Sequence, residues 1–143
     1  MKKVLFVCVH NSGRSQMAEA FFNYYAGGKA IAISAGTEPA RTVDPKVVEV
    51  MKEVGIDISG KQPRRLTAEM FNSVDRVITM GCGVEGVCPA SIMMTEDWGL
   101  EDPSGKPIER VGEIRDQIEG RVKDLLDEIL YQNDNHAGMD IRH

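Results

Sequence analysis

Hydrophobic positions along this chain switch between a strand-like and a helix-like pattern. Val4-Leu5-Phe6-Val7 is an unbroken apolar run that predicts a strand buried on both faces. Met17, Ala20, Phe21 and Tyr24 then recur at i, i+3, i+4 and i+7, which predicts one face of a helix. Gly27-Gly28 stops that helix, and residues 30–34 read as a second strand. Asp44 and Pro45 open a second helix as N-cap and first helical residue, with Val47, Val50, Met51 and Val54 inward and Gly55 at its end. Residues 66–71 predict a short helix, 74–79 a third strand and 91–94 a fourth, shorter one. A last helix is predicted over 107–131, with Ile108, Val111, Ile118, Val122, Leu125 and Ile129 at helical spacing. Residues 132–143 are polar and unpatterned, and a disordered tail is expected there. Strands alternating with helices predict an α/β fold with a mostly parallel sheet, as one domain over 1–131.

Composition narrows the function classes. The formal charge of −5 over 143 residues argues against a general nucleic-acid binder, and Pro63-Arg64-Arg65 is the only basic cluster that stands out. Nothing approaches the length of a membrane span, and the apolar run after Met1-Lys2-Lys3 is too short for a secretory signal. Three cysteines would leave one over from any static disulfide framework. A cytoplasmic protein with reactive thiols fits that count better.

The segment Cys8-Val9-His10-Asn11-Ser12-Gly13-Arg14-Ser15 lies where the first strand ends and the first helix begins. A helix N-terminus offers unpaired N–H groups and a positive dipole, so it welcomes an anion and favours thiolate over thiol. Gly13 lets the loop turn tightly. Arg14 adds a planar fork able to hold two oxygens of a tetrahedral oxyanion. A cysteine ending a buried strand is commonly just a small core residue. The Asn, Ser, Gly and Arg after it, and Ser15 within reach of the sulfur, predict a nucleophile in an anion cradle formed by Asn11, Ser12, Gly13, Arg14 and Ser15. His10 is expected to face solvent, and His136 and His143 belong to the tail.

Cys82 and Cys88 lie in a glycine-rich loop with five residues between them. Zinc sites use closer pairs and four ligands, and the histidines are not placed to complete one, so no metal is expected. The glycines favour redox work, since thiol–disulfide exchange requires sulfurs to move into line. Asp102-Pro103 occurs in a polar loop that also carries Asp97 and Glu101, and a carboxylic acid there could protonate a departing oxygen.

The Cys-x5-Arg-Ser loop resembles that of the low-molecular-weight protein tyrosine phosphatase fold. Its continuation, Ser15-Gln16-Met17-Ala18-Glu19-Ala20, is similar to the arsenate reductases of that fold that pair with thioredoxin. The resemblance covers residues 2–131 and implies a four-stranded parallel sheet flanked by helices on both faces. It implies Cys8 as nucleophile, Asp102 as general acid, Cys82 and Cys88 as second and third redox cysteines, and Asn11 as the residue that holds the loop in shape. The Cys82–Cys88 gap is one residue shorter here than in the better-known reductases. Ser104 and Gly105 stand where a tyrosine phosphatase carries aromatic residues, which suits a small inorganic substrate. Some of these reductases bind potassium near the equivalents of Asn11, Glu19 and Ser34 together with an aspartate, in whose place this chain has Pro63-Arg64-Arg65.

The expectation is therefore a cytoplasmic, monomeric arsenate reductase with no resident cofactor. It would pass a disulfide from Cys8–Cys82 to Cys82–Cys88 and on to thioredoxin. A low-molecular-weight phosphatase, needing only Cys8, Arg14 and Asp102, is the catalytic alternative. A non-catalytic oxyanion or redox sensor is the other.

Overall fold

The computed structural model describes residues 1–81 and 95–142, with side chains described as far as Leu130 and backbone alone at Thr95. Among these residues the sheet comprises β1 (Lys2–Cys8), β2 (Ala30–Gly36), β3 (Arg76–Thr79) and β4 (Thr95–Asp97). All pairs are parallel, in the order β2-β1-β3-β4. The strand expected over 91–94 lies outside the described residues.

Because β1 is central, its alternate side chains feed two cores. Val4, Phe6 and Cys8 face a large cluster built by α1 (Arg14–Ala26), α2 (Pro45–Glu53) and the long α4 (Ile108–Arg142). Leu5 and Val7 face the other way, onto Ala35, Val77 and the flank of the short α3 (Ala68–Asn72), which brings Met70 and Phe71. Helices on both faces explain why β1 reads as continuous apolar sequence rather than as alternation. The fold class is the one expected, a four-stranded parallel sheet flanked on both faces.

Several boundaries follow from identifiable local chemistry. Asp44 caps α2 by accepting from the Lys46 N–H at 2.9 Å, with Pro45 in the first turn. Gly27 ends α1 in the left-handed region at φ 56°, where a side chain would be strained. Two expected inward positions are corrected. Tyr24 is 62 % exposed and Val54 38 % exposed. The buried stripe of α1 runs instead through Met17, Ala18, Phe21 and Phe22, because Phe22 packs edge-on against Phe6 with ring centroids 6.0 Å apart. Tyr24 meets Tyr25 at the surface, and Val54 is already the C-cap of α2. The backbone of α4 continues as a helix to Arg142, past the expected end at Tyr131. No proline stands after Tyr131 to stop it. No helix among the described residues is long and apolar enough to cross a membrane.

The topology places the site. The chain leaves β1, returns as β2 on one side, and later supplies β3 on the other. The carboxyl end of β1 is therefore the point where neighbouring connections diverge, the usual crevice for ligands in an open α/β sheet. Cys8 is the last residue of β1.

Candidate active site

Cys8 is 3 % exposed, and its Sγ lies 2.8 Å from Ser15 Oγ and 3.2 Å from the Asn11 backbone nitrogen, whose N–H donates to it. The loop between β1 and α1 is held from outside. Backbone N–H groups of Thr37, Glu38, Ala40 and Asp44 donate to the carbonyls of Cys8, Val9, His10 and Ser12 at 2.8–3.3 Å. With its carbonyls engaged on that side, the loop keeps its amides for the other. The first turn of α1 carries no acidic residue, and its N-cap, Gly13, supplies no side-chain bond. The helix N-terminus is thus left open to an anion.

Asn11 is fully buried and adopts φ 51°, a left-handed conformation that asparagine tolerates better than most residues. Its Oδ1 accepts from the Arg64 N–H at 2.8 Å and from Gln16 Nε2 at 3.1 Å. That fixes the amide orientation. Nδ2 then donates to Ser15 Oγ at 2.7 Å and to Ser34 Oγ at 3.0 Å. Ser15 accepts from Asn11 and so has its own hydrogen to give to the sulfur, as a thiolate requires. Ser34 in turn donates to Glu19 Oε1.

Arg14 is only 7 % exposed, and its Nη1 donates to three backbone carbonyls: Met80 at 2.5 Å, Leu100 at 2.9 Å and Gly81 at 3.2 Å. Nη2 lies 4.0 Å from Asp102 Oδ2. The edge left to grip an oxyanion is therefore Nε with Nη2. Gly81 sits at φ 83°, and a Cβ there would meet the Leu100 carbonyl at 3.0 Å and Arg14 Nη1 at 3.1 Å.

Asp102 borders the same cleft as Cys8, Ser12, Gly13 and Arg14, and Pro103 packs beside Gly13. The two neighbouring acids are committed elsewhere. Asp97 accepts from Thr79 Oγ1 at 2.6 Å and from the Gly81 N–H at 2.8 Å. The Arg110 hydrogen bond to Glu101 holds that carboxyl below the usual carboxylate range, so it stays ionised and is a poor proton donor. His10 is exposed, and its Nδ1–H donates to the Glu38 carbonyl at 3.0 Å, in keeping with the expectation that it faces solvent.

Cys82 and Cys88 lie outside the described residues. The cleft therefore unites Cys8, the anion loop, Arg14 and Asp102. Three further contributors were not expected from the sequence. Gly36 ends β2 so close to the loop that a Cβ would come within 2.6 Å of the Val9 carbonyl oxygen. Its position at a strand end facing the loop is the signal that could have found it. Met80 and Leu100 contribute only backbone carbonyls to Arg14, and no residue type announces that. The potassium set does not fit this chain. Asn11 Oδ1 is taken by two N–H donors, and Glu19 Oε2 pairs with Lys61 Nζ at 3.3 Å.

A strand-end cysteine in a loop that opens a helix, with an arginine and an acid beside it, defines the phosphatase-like class of α/β proteins. The low molecular weight phosphotyrosine protein phosphatase family model matches residues 3–135, and this chain belongs to that family. Within it, the chain is 44 % identical over 128 residues to a putative arsenate reductase of Halobacterium salinarum, covering 86 % of this chain and 89 % of that protein. It is 42 % identical over 132 residues to a glutaredoxin arsenate reductase of a Synechocystis species, covering 90 % and 99 % respectively. Among solved structures, a thioredoxin-dependent arsenate reductase of Corynebacterium glutamicum superposes with a TM-score of 0.77 at 40 % identity, over 92 % of this chain and 63 % of that one.

Proposed function

We propose that this chain reduces arsenate to arsenite with Cys8 as nucleophile, and that thioredoxin restores its thiols. The Cys8 thiolate attacks arsenic while Arg14 and the loop amides hold the oxygens. Asp102 gives a proton to the departing oxygen, which leaves as water. Cys82 then gives up its proton and attacks the Cys8 sulfur. The arsenic–sulfur bond breaks with its electron pair remaining on arsenic, so arsenite departs and two thiols become one disulfide. Cys88 attacks Cys82, frees Cys8, and leaves a Cys82–Cys88 disulfide for the two thiols of thioredoxin to reduce. No resident cofactor takes part. The enzyme works as a monomer in the cytoplasm, where thioredoxin is kept reduced.

One observation favours reduction over simple phosphate ester hydrolysis. Arg14 Nη1 holds the carbonyls of Met80 and Gly81, the two residues that lead directly into Cys82. The oxyanion-binding arginine is thereby tied to the segment that carries the second thiol, a connection hydrolysis does not need. The test is arsenate-dependent NADPH consumption through thioredoxin reductase and thioredoxin, compared with glutathione and glutaredoxin. Turnover with thioredoxin is expected. The 42 % identity to a glutaredoxin arsenate reductase makes glutaredoxin the second reductant to try. Failure with both would overturn the assignment.

Two further results are expected. At pH 6.5 Cys8 should react with iodoacetamide faster than free cysteine and be protected by phosphate or arsenate, as peptide mapping would show. A rate no higher than that of free cysteine would remove it as nucleophile. Asp102→Asn should lower kcat for arsenate about 10²-fold. Glu101→Gln should stay within about three-fold of native, because the Arg110 bond already keeps that carboxyl ionised.

A further inference from the structure

Glu19 is a buried carboxylate on α1 that takes no direct part in the chemistry above. Its side chain is 5 % exposed, and leaving a charge there without a partner is costly. Ser34 Oγ donates to Oε1, and Lys61 Nζ lies 3.3 Å from Oε2. Among the described residues no other cation comes within ion-pair distance of it. From Glu19 the hydrogen bonds run through Ser34, Asn11 and Ser15 to Cys8 Sγ.

We infer that Lys61 is a positioning residue for Cys8, a tethered cation that pairs with the buried Glu19 carboxylate, holds it against Ser34 and so anchors the far end of that chain. An ionised Glu19 can only accept, so Ser34 must donate to it. Ser34 is then an acceptor towards Asn11 Nδ2. The same amide nitrogen donates to Ser15, whose remaining hydrogen goes to the sulfur. Without the ammonium, no cation among the described residues holds the carboxylate against Ser34. Ser34 would then be less firmly placed as the second acceptor of Asn11 Nδ2, the group that also positions Ser15.

The ammonium is delivered by a well-anchored segment. The Lys61 N–H donates to the Ile58 carbonyl at 3.0 Å, and the Gly36 N–H donates to Arg64 and the Leu66 N–H to Gly36 at 2.8 and 2.9 Å. Lys61 itself is 43 % exposed at its side chain, so its replacement removes the charge without opening the core. A free monovalent cation has no role in this arrangement.

This rests on Cys8 being the nucleophile proposed above, and the experiment separates the two. Iodoacetamide alkylation of Cys8 would be followed at pH 6.5 in a Cys82→Ser/Cys88→Ser background, so that one thiol reacts. Lys61→Met should slow it about five-fold, because the chain that holds Ser15 against the sulfur loses its anchor. Lys61→Arg should remain within about two-fold of the parent, since the charge is kept. In a Glu19→Gln background, Lys61→Met should have no further effect, because the carboxylate it serves is gone. Exchanging potassium chloride for tetramethylammonium chloride should leave the parent rate unchanged. Slow alkylation of the parent would fail the nucleophile assignment. A fast parent with an equally fast Lys61→Met would overturn the role of Lys61 alone. So would an equal slowing by Lys61→Met with and without Glu19, or a parent that needs potassium.

Discussion

Arg14→Lys is expected to lower kcat/KM for arsenate by about 10³-fold although the charge is retained. Two losses combine. The Nε–Nη2 edge is a planar pair of donors, and an ammonium cannot reproduce its grip on two oxygens of a tetrahedral anion. Nη1 also holds the carbonyls of Met80, Gly81 and Leu100, which join the segment before Cys82 to the loop that carries Asp102. A lysine placed to serve those carbonyls would spend its donors there and leave none for the substrate. The measurement is steady-state arsenate reduction, together with phosphate protection of Cys8 against iodoacetamide. Protection should weaken in parallel with activity. Thermal unfolding should be recorded beside it, since Arg14 is buried. Near-native kcat/KM in a folded Arg14→Lys protein would show that charge alone suffices.

The parts of this molecule that were legible in the sequence are those whose cause is local. The run Val4 to Val7 announces a strand covered on both faces, and Asp44-Pro45 announces a helix start. Cys8, Gly13 and Arg14 fall within a single strand–loop–helix unit, so their meeting could be read from spacing alone. Tyr24 shows the limit of that method. Its spacing from Met17 and Phe21 fits an inward face, yet Phe22 turns in to meet Phe6 and the stripe rotates away from Tyr24. Contacts across long sequence separations were not legible. Lys61 and Glu19 are 42 residues apart, and Arg14 and Leu100 are 86 apart. The choice among Asp97, Glu101 and Asp102 could only lean on resemblance until partners were known. Arg110 on Glu101, and Thr79 with Gly81 on Asp97, supply a physical reason to set those two aside.

The division of labour among the three thiols gives the other large effect. Forming and hydrolysing a phosphocysteine needs only Cys8, so Cys82→Ser and Cys88→Ser should each keep whatever aryl phosphatase activity the native chain has. Arsenate needs two electrons, and one thiol cannot form a disulfide within the chain by itself. Cys82→Ser should therefore stop at the Cys8 adduct and release no arsenite. Cys88→Ser should release about one arsenite per enzyme and then stall. Its remaining bridge would include Cys8, which is 3 % exposed beneath the anion loop, where a protein reductant has poor access to the sulfur. Intact-mass and peptide mapping after one turnover should find a Cys8–Cys82 bridge in Cys88→Ser and a Cys82–Cys88 bridge in the native chain. Continued cycling of Cys88→Ser with thioredoxin at the native rate would mean that the buried bridge is reduced directly. Cys88 would then have no part in the relay.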